Sequence, residues 1–123
     1  MPNRLMIANR GEIAIRIART AADLGVETVA VYAADDAASL HVRAADTAID
    51  LGGTGVAAYL DIEGLVATAR AAGCDAVHPG YGFLSENEDF AKRCEDEGIV
   101  FIGPKHYSIA AMGDKIASKK LAN

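Results

Sequence analysis

Short apolar runs alternate with stretches of helical spacing along this chain. Leu5-Met6-Ile7-Ala8 is a continuous apolar run that stops at Asn9-Arg10-Gly11, the pattern of a buried strand opening into a helix. From Glu12 to Leu24 the residues Ile13, Ile17, Ala21 and Leu24 recur at helical spacing, and Gly25 supplies the stop. Thr28 to Tyr32 is rich in β-branched residues and predicts a second strand. Asp35-Asp36 marks a turn, a short helix is expected around Ser39–Ala45, and Thr47–Leu51 is a weaker third strand followed by a Gly52–Gly55 loop. Asp61 is placed to cap a helix carrying Ile62, Leu65, Val66 and Ala69, ended by Gly73. Ala76-Val77-His78 predicts a fourth strand, broken at Pro79-Gly80. Ser85 and Glu88 have capping-box spacing before a helix that Gly98 closes. Ile99–Ile102 predicts the fifth strand, and a last helical region is expected from about His106 to Leu121, broken near Gly113.

Strands separated by helices pair in parallel through right-handed crossovers, so the fold class is α/β: an open parallel five-stranded sheet with helices on both faces. In the usual doubly wound order the first and fourth strands are neighbours, and ligands sit beyond their carboxyl ends. Those ends are Asn9-Arg10-Gly11 and Pro79 through Ser85, with Gly103-Pro104-Lys105 following the fifth strand. Length permits one domain: 123 residues leave no room for a second full core.

Charge removes two function classes. With 12 basic and 17 acidic residues the formal charge is -5, which argues against a nucleic-acid clamp or an anionic-membrane binder. A small phosphate site, needing one lysine and some backbone N–H groups, stays open. Cys74 and Cys94 make neither a disulfide framework nor a metal site; they read as buried thiols, and a soluble, cytoplasmic protein is expected. His41, His78 and His106 share no metal-ligand spacing.

Of the motifs, Gly53-Thr54-Gly55-Val56-Ala57-Ala58 has the outline of a dinucleotide fingerprint, but it follows the third strand instead of the first, and reads as a loop. His78-Pro79-Gly80-Tyr81-Gly82-Phe83-Leu84-Ser85-Glu86-Asn87 is the densest stretch. Its glycines allow close backbone approach, while Glu86 near the helix start opposes anion binding there. Two roles fit it: a ligand-facing loop, or a rigid turn with Tyr81 as packing. Asn9 is expected to hydrogen-bond its own turn and Glu12 to cap the first helix. Arg10 is free to take an anionic ligand or to pair with Glu86. Lys115, Lys119 and Lys120 suggest a solvated basic helix face.

Taken together, Ile7-Ala8-Asn9-Arg10-Gly11-Glu12-Ile13-Ala14, His78 through Asn87, Phe101-Ile102-Gly103-Pro104 and Met112-Gly113-Asp114-Lys115 resemble the N-terminal domain of biotin carboxylase from biotin-dependent carboxylases of the acetyl- and propionyl-CoA type. The resemblance covers essentially the whole chain. It implies a Rossmann-like pre-ATP-grasp domain over residues 1–113, with 114–123 beginning the segment that leads to an ATP-grasp domain. It further implies ATP- and bicarbonate-dependent carboxylation of biotin on a carrier protein, with Mg ions, ATP and carrier-bound biotin as the full enzyme's cofactors. The implied partners are the ATP-grasp and C-terminal domains of the same subunit, the biotin carboxyl carrier protein, a carboxyltransferase and a second copy in a homodimer.

By the same resemblance, Lys115 reaches the ATP phosphates, and Tyr81, Gly82 and Glu86 border the cavity where bicarbonate meets biotin. Arg16, Arg19 and Asp23 correspond to dimer-contact positions, although Asp23 is shorter than the glutamate expected and can instead pair with Arg19 along the helix. No catalytic or metal-binding residue is assigned to this stretch, which is expected to be inactive alone. Two other readings compete: a non-catalytic module that associates with carboxylase subunits through its first helix, and a nucleotide-binding domain acting through Gly53–Ala58.

Overall fold

A computed structural model describes residues 2–80 and 82–102 of the chain. Tyr81, Lys115, the last expected helix and the boundary expected at residue 113 therefore lie outside the described residues.

Five parallel strands form one sheet: β1 (Arg4–Ile7), β2 (Glu27–Tyr32), β3 (Thr47–Asp50), β4 (Ala76–His78) and β5 (Val100–Phe101), in the order β3-β2-β1-β4-β5. The order reverses between β1 and β4, whose register places Ile7 beside His78. Alternation along β1 divides the core. Met6 turns to one face, and Leu5 and Ile7 to the other.

Helix α1 (Gly11–Asp23) covers the Leu5–Ile7 face with Ala14, Ile17, Ala18 and Ala21. Its small residues let the helix approach the sheet closely. Two further helices, α4 (Ile62–Ala71) and α5 (Glu88–Asp96), cover the other face with Leu65, Val66, Ala69, Phe90 and Cys94. The shorter α2 (Leu40–Ala44) and α3 (Gly55–Tyr59) lie in the connections on either side of β3. Helices thus lie on both faces, as expected. Cys74 and Cys94 are both buried free thiols, and burial pushes them up to about 11 and about 12.

Several local expectations are corrected. The Ser85–Glu88 capping box does not form: α5 begins two residues past the expected start, and its cap is Asn87, whose Oδ1 accepts from the Phe90 amide at 2.9 Å. Glu12 does not cap α1; Arg10 occupies that position without a side-chain cap, and Glu12 pairs with Arg16, four positions on, as their spacing favours. The glycine loop after β3 contains the helix α3, whose five residues are too few for periodicity to register. Asp61 caps α4 as its position predicts, accepting from the Gly64 amide at 3.1 Å. Across the two outer helices Arg93 forms a two-pronged pair with Glu63 and a further contact with Glu97, joining α5 to α4.

Candidate functional site

The exits of β1, β4 and β5 are adjacent along one rim because those strands are neighbours in the sheet. β1 continues its ladder past the strand: the Ala8 amide donates to the His78 carbonyl at 3.0 Å. Asn9 then turns inward and is 1% exposed. Its Nδ2 donates to the Pro79 carbonyl at 2.7 Å, and its Oδ1 accepts from the Arg10 amide at 2.8 Å. The expected role of Asn9 in its own turn holds, and the side chain also ties the β1 exit to the β4 exit.

Gly80 follows in the left-handed region at φ 67°. A Cβ there would fall 2.6 Å from Ile13 Cγ2 and 2.9 Å from Asn9 Nδ2, so the position requires glycine for its φ and for its closeness to α1. The Gly80 amide donates to His78 Nδ1 at 3.1 Å, which makes that nitrogen the acceptor of the ring. Beyond Tyr81, Gly82 is exposed at φ 70° and Phe83 sits at φ 44°. A bulky side chain in that region costs on the order of 1–2 kcal/mol, a conformation that the surroundings must hold in place. Two local turns carry the chain onward, from the Ser85 amide to the Gly82 carbonyl and from the Asn87 amide to the Leu84 carbonyl. Glu86 is exposed between them. With Glu88 and Asp89 in its first turn, α5 complements its own dipole and does not present a bare anion site.

Arg10 pairs with Asp36 and not with Glu86. Its Nε and Nη2 each donate to Asp36 at 2.8 Å, a two-pronged contact with the turn that follows β2. Asp36 also accepts from the Tyr59 hydroxyl at 2.6 Å, and that hydroxyl accepts from the Ala33 amide at 3.2 Å. The Arg10 guanidinium, helped by Tyr59, holds the Asp36 carboxyl below its ordinary range. Burial first, then the Asp36 hydrogen bond, pushes the Tyr59 phenol up to about 12, so it remains a donor at neutral pH. Beneath them His41 is 2% exposed, with Nε2 3.2 Å from the Val31 carbonyl; burial lowers its proton affinity. Sequence reasoning missed this cluster because Tyr59 lies in the unrecognised α3.

A cavity of about 190 Å³ lies beside Gly53, Thr54, Ala57 and Asp61. The nucleotide reading of this loop meets an obstacle: the Gly55 amide donates to Asp35 Oδ1 and the Gly52 amide to Asp50 Oδ1. Amides that would face a phosphate are engaged by carboxylates that would repel it. Among the described residues no group of three or more His, Cys, Asp and Glu side chains is placed to hold a metal ion. Arg16, Arg19 and Asp23 are exposed on α1, and among the described residues no ion pair joins Arg19 to Asp23.

The model of the biotin carboxylase N-terminal domain matches residues 1–109. The chain is 51% identical over 123 residues to the propionyl-CoA carboxylase alpha chain of Ruegeria pomeroyi, covering 99% of this chain and 18% of that one. Biotin carboxylase 2 of Bacillus subtilis is 52% identical over 121 residues, covering 98% of this chain and 27% of the relative. Among solved structures, the biotin carboxylase domain dimer of Hydrogenobacter thermophilus 2-oxoglutarate carboxylase, in complex with MgADP, ADP and bicarbonate, is similar with a TM-score of 0.82. That likeness carries 46% identity and covers 89% of this chain and 24% of that one. The biotin carboxylase domain of a single-chain bacterial carboxylase gives 0.80 and 54%, covering 97% and 28%. The chain thus spans only about a quarter or less of the curated relatives' length. With the adjacent β1 and β4 exits and identity near one half along almost all of its residues, this chain belongs to the biotin carboxylase N-terminal domain family.

Proposed function

We propose that this domain serves the ATP- and bicarbonate-dependent carboxylation of biotin on a carrier protein, as one wall of a cavity completed by ATP-grasp and C-terminal domains. The observation that carries the reading is the fixed juncture of the β1 and β4 exits through Asn9 and Pro79, which places Gly80 beside the β1 exit. Within that cavity Tyr81, Gly82 and Glu86 shape the wall where bicarbonate and the biotin ureido ring meet. Positioning of this kind lowers a barrier by fixing reactants in place, without any proton passing through the wall. Lys115 serves as a point charge on the ATP phosphates, while magnesium ligands and the general base come from elsewhere in the enzyme. ATP supplies the phosphoryl group that activates bicarbonate, and biotin receives the carboxyl. This domain alone does not turn over ATP.

Arg16, Arg19 and Asp23 form a contact with a second copy. Their exposure on one helix and the dimeric state of the Hydrogenobacter domain support that role. The acyl or other acceptor is chosen by a carboxyltransferase and is not encoded in this domain.

The test joins the chain to the ATP-grasp and C-terminal domains and follows bicarbonate-dependent ATP hydrolysis with free biotin. Activity in the joined protein and none in the 123-residue chain is expected; its absence from the joined protein refutes the proposal. Replacing Lys115 by alanine should raise the KM for ATP, and unchanged kinetics would remove Lys115 from the nucleotide site.

A further inference from the structure

Leu84 anchors the segment carrying Gly82 and Glu86 in the core, while Phe83 packs separately against the Ala33, Ala58 and Tyr59 cluster. The turns onto the Gly82 and Leu84 carbonyls are local. Phe83 holds a left-handed backbone that glycine would adopt freely, so the position uses the phenyl ring. That ring lies 5.5 Å, centroid to centroid, from the ring of Tyr59. Tyr59 is 1% exposed, and its hydroxyl reaches Asp36 on one side and the Ala33 amide on the other. Asp36 grips Arg10, the Arg10 amide reaches Asn9, and Asn9 reaches the Pro79 carbonyl at the start of the same segment. The contacts close on themselves: from Pro79 along the chain to Phe83, across to Tyr59, and back through Asp36, Arg10 and Asn9.

We propose that this closed circuit is a positioning device, in which Tyr59 sets the place of the Gly80–Asn87 segment against the β1 exit and thereby the shape of the substrate-facing wall. The inference rests on the function proposed above. Tyrosine suits the role because one side chain supplies both an aromatic face for Phe83 and a hydroxyl for Asp36. Phenylalanine would keep the first contact and lose the second. Tyr59 acts through other residues and is therefore a positioning residue.

Two measurements test it in the protein carrying all three domains. Hydrogen exchange of Tyr59→Phe should be faster at the Ser85 and Asn87 amides, with the β2 amides of Val29 and Val31 unchanged. Unaltered exchange at Ser85 and Asn87 overturns the circuit, whatever the activity. In the kinetic arm, Tyr59→Ala and Phe83→Ala should each lower kcat/KM for free biotin by about ten- to a hundredfold, since a misplacement of about 1 Å can cost about a hundredfold, while the KM for ATP stays within about twofold. The double variant should be no worse than about twofold below the poorer single one, because both break one circuit. Multiplicative losses, an equal rise in the KM for ATP, or unchanged biotin kinetics refute it. Where an alanine variant fails to fold, Tyr59→Phe and Phe83→Leu carry the same comparison. A parent protein without bicarbonate-dependent ATP hydrolysis refutes the function instead, and exchange then decides the circuit alone.

Discussion

Replacing Gly80 by alanine tests whether the β4 exit is locked to the first helix. At φ 67° an alanine pays the left-handed penalty of about 1–2 kcal/mol. Its Cβ would also lie 2.6 Å from Ile13 Cγ2 and 2.9 Å from Asn9 Nδ2. Neither neighbour yields easily. Ile13 is β-branched and stiff at χ1 within α1, and Asn9 is held by its bond to the Pro79 carbonyl. Overpacking of this kind adds about 1–3 kcal/mol, for a total of about 2–5 kcal/mol. Gly98→Ala is the matched control: its φ is 74°, but a Cβ there meets nothing within 4 Å, leaving only the backbone penalty. Urea denaturation followed by circular dichroism at pH 7 separates the two. With a slope of about 2 kcal/mol/M, a loss of about 3 kcal/mol moves the midpoint about 1.5 M, against about 0.5–1 M for the control. Equal shifts in the two variants would refute the steric argument and with it the close packing of the β4 exit on α1.

Two further outcomes follow from the described contacts. Asn87→Ala removes the cap of α5 and should lower unfolding stability by about 1 kcal/mol, read from the same urea midpoint; an unaltered midpoint would return the capping role to another residue. His41 is held neutral by burial, so its folded proton affinity lies below the ordinary value near 6.5. The unfolded chain then binds a proton first as pH falls through that value, and stability declines with it; by the same sign Asp36, depressed by Arg10, withdraws stability below its ordinary 3.8. His41→Gln should flatten the fall in urea midpoint between pH 7 and pH 5, and an unchanged slope would place the titrating group elsewhere.

Most of the sheet was legible because β1, β2, β4 and β5 each hold a run of buried residues, a pattern that burial on both faces imposes, whereas β3 is only partly buried and carries the weaker signal. The neighbouring exits of β1 and β4 followed from the doubly wound order, and Asn9 and the Gly80 loop therefore converge as the residues suggest. Boundaries were less legible. Ser85 and Asn87 both have side chains suited to capping, and spacing alone favoured the first; the turn onto the Leu84 carbonyl carries the chain past Ser85 and delivers Asn87 to the cap.

The partner of Arg10 shows where reading along a sequence reaches its limit. Asp36 lies 26 positions away, and nothing in composition distinguishes it from Glu86 as a partner. The distinction is topological. β1 and β2 are paired in parallel with Ile7 beside Ala30, so their exits open on the same edge, and the turn following Tyr32 brings Asp36 to the start of α1. Tyr59 arrives by the same logic one connection later, since Ile49 and Asp50 of β3 align with Val31 and Tyr32 and the chain climbs past them into α3. Parallel pairing therefore collects the residues that follow successive strands, however distant in sequence. The polar cluster beside the Gly80 loop is a consequence of strand order, with hydrogen-bonding chemistry selecting which of the gathered side chains engage.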